Sequence, residues 1–147
     1  QNANLFFFIF HKYILKTDDD QRLIYPNFFS ELHPRLNQLK PDYVGRIFNM
    51  PKKVEQYQPV VHKEDGFPTG YVVGDDLPFT NGRFYALSKR NVTDLVENKF
   101  ELIKEELCED WAIAKYQKLE YRKNICSFET MNIFRDYVEY NEKVKNK

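Results

Sequence analysis

The 147 residues carry 22 basic and 22 acidic side chains, and residues 91–147 are balanced too, with ten bases and twelve acids. A nucleic-acid binder usually shows a strongly basic face, so the balance disfavours that class, and the length fits one domain. Thirteen Phe and ten Tyr are many for a chain this polar on average, and aromatic surface is favoured both in cores and at interfaces.

The chain opens on an apolar run, Leu5 to Phe10, interrupted by His11 and Lys12 and resumed at Tyr13, Ile14 and Leu15. It is too short to span a bilayer. A buried strand is the first reading, and contact with a membrane surface the second. The first residue is Gln1, so either a leader has been removed or the sequence is a fragment. Thr17-Asp18-Asp19-Asp20 reads as a charged turn; the acids lack the alternating ligands and glycine of a calcium loop.

All seven prolines lie between Pro26 and Pro78. Their spacing predicts neither long helices nor central strands over 26–90. One short helix fits between Asn27 and Leu39, where Phe28, Leu32, Leu36 and Leu39 keep helical phase. A second short helical turn fits Pro41 to Phe48. From Pro51 to Leu87 the pattern predicts extended, loop-rich chain. Gln58 to His62 and Tyr71 to Val73 are short strand candidates, with turn chemistry at Asp65 to Gly70, Gly74 to Pro78 and Asn81-Gly82.

Asn91 to about Asn124 is the longest helical pattern. Val92, Val96, Phe100, Ile103, Leu107, Trp111 and Ala114 recur at steps of three and four, one face of an α-helix. No Gly or Pro follows Arg83, and Asn91 or Thr93 is placed to cap the start. Such a helix would run roughly 50 Å and would need a partner along its stripe. A second helix is predicted from Ser127 through Met131, Phe134 and Val138, making a helical hairpin or one bent rod. The expected fold is therefore mainly α. A long C-terminal helix or helical hairpin (91–147) follows an apolar N-terminal segment (1–25) and a Pro-rich, largely extended region (26–90) with at most a small β-hairpin. The three form one structural unit.

Candidate chemistry is sparse. His62 with Asp65, Asp75 and Asp76 is the best polar cluster, since a His–Asp pair can move protons, but no nucleophile motif accompanies it. The glycines at 66, 70 and 74 match neither a dinucleotide fingerprint nor a phosphate loop. Asn91-Val92-Thr93 matches a glycosylation acceptor, at residues already expected to cap a helix. Cys108 and Cys126 are read as two thiols, because a straight helix would hold them roughly 27 Å apart. No catalytic, cofactor or metal site is assigned. The residues expected to meet partners are Phe6, Phe7, Phe8, Phe10, Phe100, Trp111, Tyr116, Tyr121, Phe134 and Tyr137.

The two cysteines, the charged helix between them and Arg135-Asp136-Tyr137-Val138 with its charged tail cover about a third of the chain. They resemble the CHCH-type, helical-hairpin accessory subunits of mitochondrial complex I. The twin cysteine pairs of that family are absent. The resemblance implies a non-catalytic subunit without a cofactor. Such a subunit would stabilise a respiratory-chain assembly at the mitochondrial inner membrane through other protein subunits, with the N-terminal segment touching the membrane surface. The competing expectation is an independent soluble protein-binding domain with a core of its own, or an enzyme using the His62 region.

Overall fold

The computed structural model describes residues 8–10, 12–49, 52, 54–57 and 70–137, with 8–10, 54–57 and 70–72 as backbone. The resumed apolar run forms β2 (Tyr13–Thr17), onto which β1 (Phe8–Phe10) folds back with Phe10 opposite Tyr13. The three acids then turn the chain, the Gln21 N–H donating to the Asp18 carbonyl at 3.2 Å, into β3 (Gln21–Leu23).

Helix α1 (Phe28–Leu39) stands where its phase predicts it, burying Phe28, Leu32 and Leu36. Pro34 lies inside it on the exposed face and withholds the N–H that would otherwise serve the Ser30 carbonyl. Lys40, left-handed at φ 47°, ends the helix. The chain then enters β4 (Tyr43–Asn49), followed by β5 (Val54–Tyr57), β6 (Gly70–Val73) and β7 (Pro78–Ser88). Strands β4 and β7 are antiparallel, with a register break between Gly45 and Ile47. Gly45 has φ 149°, and a Cβ there would meet the Phe84 carbonyl oxygen at 2.9 Å, so the break needs glycine. Strands β5 and β6 pair with each other as a separate ribbon.

Four short helices come next: α2 (Lys89–Asn98), α3 (Phe100–Lys104), α4 (Glu109–Tyr116) and α5 (Leu119–Lys123). They lead into β8 (Ile125–Ser127) and β9 (Phe134–Asp136), the latter paired with β3. The main sheet runs β1-β2-β7-β4-β8, antiparallel except where β8 lies parallel to β4.

Alternation along the central strands sends side chains to two cores. Tyr13, Leu15, Val44, Phe84 and Ala86 meet Phe28, Leu32 and Leu36 of α1 on one face. Tyr43, Phe79, Tyr85 and Leu87 meet Leu95, Trp111 and Ala114 on the other. With both faces covered, β7 reads as the apolar run Phe84 to Leu87 expected of a fully buried strand. The result is a three-layer α/β unit, with helices on both sides of a mixed sheet.

The mainly α expectation is thus overturned. No helix spans 91–124; the segment breaks at Lys99, at Glu105 to Cys108 and at Gln117-Lys118, although it contains neither Gly nor Pro. The stripe found its partner in the chain's own sheet. Folding α2 and α4 separately onto β7 lets both Leu95 and Trp111 reach one core, which a straight rod would overrun. Tertiary burial outweighs local propensity here. The second predicted helix is replaced by β8, a turn and β9, because Phe134 stacks on Phe84 with ring centroids 5.1 Å apart; residues 138–147 lie outside those described. The prolines do not exclude central strands either. Pro41 precedes β4 and Pro78 is the first residue of β7, positions where a missing N–H costs little. The expected Asn81-Gly82 turn lies within β7, and the expected turn from Pro41 to Phe48 is mostly β4.

Candidate functional site

Three strand ends meet where β7 finishes and β4 and β8 begin, and Asp42 bonds to the other two. Its side chain is 1% exposed. Residue 42 is placed by the left-handed Lys40 and by Pro41, and its backbone N–H donates to the Asn124 carbonyl at 2.8 Å. Its carboxylate accepts from Ser88 Oγ at 2.5 Å, Arg90 Nε at 2.7 Å, Arg90 Nη2 at 2.5 Å and Asn124 Nδ2 at 2.7 Å. That fills the lone-pair capacity of a carboxylate. Burial opposes the charge, but the hydrogen bonds from Arg90, Ser88 and Asn124 outweigh it and hold the carboxyl below its ordinary range.

The same junction organises the helices. Ser88 caps α2, accepting from the Asn91 N–H at 3.3 Å. Asn91, fully buried, donates to the Asp42 carbonyl at 3.2 Å and to Gln117 Oε1 at 2.7 Å. Gln117 is the residue at which α4 stops, so this bond fixes the break between α4 and α5. The Arg90 guanidinium also lies 4.8 Å from the Tyr121 ring centroid, a cation–π contact. Beside Asp42 a cavity of about 480 Å³ opens, rimmed by Lys12, Lys40, Lys89 and Arg90.

A second groove, of about 690 Å³, lies on the α3–α4 side of the sheet and is acidic, lined by Asp18, Asp19, Asp20, Glu106, Glu109 and Asp110. Lys16 crosses it to Asp18 and to Glu109 Oε2 at 3.0 Å, and the Tyr85 hydroxyl donates to Glu109. Burial disfavours the Lys16 ammonium, but the Glu109 and Asp18 charges outweigh it and raise its pKa. Burial, then Glu109, pushes the Tyr85 phenol well above its ordinary value. A third ion pair is buried on one side: Arg122 bonds both oxygens of Asp75, at 2.6 and 3.0 Å. Each of these cations is already met by a carboxylate.

The residues expected to meet partners are scattered. Trp111 is 4% and Phe134 3% exposed, each in one of the two cores. Tyr116 donates to Glu106 and Tyr121 stacks under Arg90, both half-buried. Phe100 and Tyr137 are exposed. Phe8 and Phe10 belong to β1, and Phe6 and Phe7 lie outside the described residues. Of the His62–Asp65–Asp75 cluster, His62 and Asp65 lie outside the described residues, and Asp75 is engaged by Arg122. Among the described residues no group of three or more His, Cys, Asp or Glu could hold a metal ion. No helix among them is long and apolar enough to cross a membrane. Neither cysteine is in a disulfide; Cys126 is buried and Cys108 donates to Asp110 Oδ1 at 2.6 Å.

Asp42, Ser88, Arg90 and Asn124 form no motif in the sequence, because Ser88 and Arg90 stand two positions apart and every other pair is separated by 34 to 82 positions. The one local signal was Pro41-Asp42 directly after a helix end. Comparisons with protein-family models, with curated proteins and with solved structures returned no match.

Proposed function

We propose that the chain is a non-catalytic protein-binding domain that completes its own core and serves as an accessory component of a larger assembly. The observation that carries this reading is the state of the deeply placed charges. Asp42 is spent on Arg90, Arg122 on Asp75, Lys16 on Asp18 and Glu109, and Asp94 on Lys118. A general acid or base must exchange its proton near working pH. Asp42 and Asp94 are held down and Lys16 and Tyr85 up, each away from neutral pH, while Asp18, which burial raises, stays hydrogen-bonded to Lys16. Apolar side chains left outside both cores support a partner: Val96 is 59% and Phe100 51% exposed, four residues apart across the α2–α3 break.

Two measurements test the reading. Sedimentation with thermal unfolding of the isolated chain should show a monomer with one cooperative transition. Cross-linking in native extract, wild type beside Phe100→Asp, should then give a stoichiometric partner that the variant loses while its melting is unchanged. Identical cross-linked sets, or none, would overturn the proposal.

A further inference from the structure

We infer that the basic cavity beside Asp42 is a binding site for a phosphate monoester. The inference rests on the reading that this domain binds and does not react. Lys12, Lys40, Lys89 and Arg90 line the cavity, and Asp42 is the only acid among the lining residues. Its carboxylate is already consumed by four hydrogen bonds, so it cannot neutralise the lysines. The side chains of Lys12, Lys40 and Lys89 are all solvent-exposed and make no ion pair among the described residues. Three unspent ammonium groups thus border one concave space of about 480 Å³, room for a phosphate with an attached group.

The chemistry favours phosphate over carboxylate. An arginine fork receives carboxylate and phosphate alike, and the Arg90 fork is occupied, Nε and Nη2 both lying on Asp42, so the choice falls to charge. What remains is a set of compact point charges, the ammonium groups, which suit a multiply charged tetrahedral anion. Helix α2 begins at Lys89 on the cavity wall, and its first N–H groups are already engaged, that of Lys89 by the Lys12 carbonyl at 2.8 Å and that of Asn91 by Ser88 Oγ at 3.3 Å, so the positive charge offered there is that of the side chains. Asp42 acts as the fixed floor: it pins Arg90 and, through Ser88 and Asn91, the first turn of α2. The apolar wall, Tyr13 and Leu36, offers contact to whatever carries the phosphate.

A free small phosphate ester and a phosphorylated side chain of a partner protein present the same group, and the test separates them. The full chain is titrated with inorganic phosphate, then with a phosphoserine peptide and its unphosphorylated twin, against chloride at matched ionic strength, and followed by backbone amide NMR shifts. Phosphate should move the amides of residues 88–91 and of Lys12 saturably. Lys89→Ala and Lys12→Ala should each weaken binding about fivefold, with Lys89→Arg close to wild type. The peptide binding tighter than inorganic phosphate assigns the site to a protein partner; equal affinity assigns it to a free ester. No saturable shift with phosphate, or wild-type affinity in Lys89→Ala, overturns the inference. These lysines are exposed, so the variants fold. The Phe100→Asp cross-linking experiment reads the binding-domain proposal without touching this pocket, so the two fail separately.

Discussion

Removing Asp75 should cost more than removing the arginine it holds. Arg122 is 2% exposed, with Nε donating to the Pro78 carbonyl at 2.6 Å, both terminal nitrogens on Asp75, and its guanidinium 5.5 Å from the Trp111 ring centroid. Asp75→Ala leaves that cation in the protein with one carbonyl and an aromatic face, an orphaned buried charge that costs about 3–5 kcal/mol. Arg122→Met leaves Asp75, whose side chain is 32% exposed, free to turn to water. Its main penalty is the unserved Pro78 carbonyl, about 1–3 kcal/mol. The double variant should resemble Arg122→Met alone, so the two losses fall short of adding by the whole Asp75→Ala cost, about 3–5 kcal/mol. Urea unfolding of all four proteins measures this, followed by Trp111, the only tryptophan, and by circular dichroism, because Arg122 touches the fluorophore. Strictly additive losses, or an Asp75→Ala cost below about 1 kcal/mol, would refute the reasoning. They would return Asp75 to the polar cluster with His62 as a residue kept for some other purpose.

The Asp42 pair has a pH signature. Its folded pKa is depressed, so its stabilisation is complete above the unfolded carboxylate value of about 3.9 and is lost as pH falls through the lower folded value. Asp42→Asn should therefore be less stable by about 2–4 kcal/mol at neutral pH, with the gap closing below about pH 4 in urea midpoints; an equal gap at both ends of the range counts against the pair. Asn91→Ala, which strips the donor from the Asp42 carbonyl and from Gln117, should cost about 2–3 kcal/mol. Thr93→Ala, exposed within α2 and not its cap, which is Ser88, should stay within about 0.5 kcal/mol, and the reverse order would mean that the buried Asn91 bonds do not hold this junction. Gly45→Ala should lose about 2–3 kcal/mol by chemical denaturation, from the positive φ and the contact with the Phe84 carbonyl.

What was legible in the sequence was local. Helix α1 could be read because Phe28, Leu32 and Leu36 repeat at one helical turn, and the turn at Asp18 to Asp20 because three adjacent acids have nowhere dry to go. The sheet was not legible, because β4 and β8 are parallel neighbours about 80 positions apart and β7 carries a turn dipeptide, Asn81-Gly82, in its interior. The candidate site was hidden for the same reason: Asp42 meets Ser88, Arg90 and Asn124 only after the strands are in order.

The long helix was misread because its periodicity is genuine while its breaks are imposed from outside. The Gln117 break is tied to Asn91, and the loop before α4 is drawn back by Glu106, which accepts from Lys115 and Tyr116. An excised peptide of residues 89–124 tests this. Freed from the sheet, and with no Gly or Pro to interrupt it, it should take helical NMR shifts continuously through 99, 108 and 117 in trifluoroethanol, where local propensity governs. If non-helical shifts persist at those three positions, the breaks are written in the local sequence, and the sheet merely accepts them.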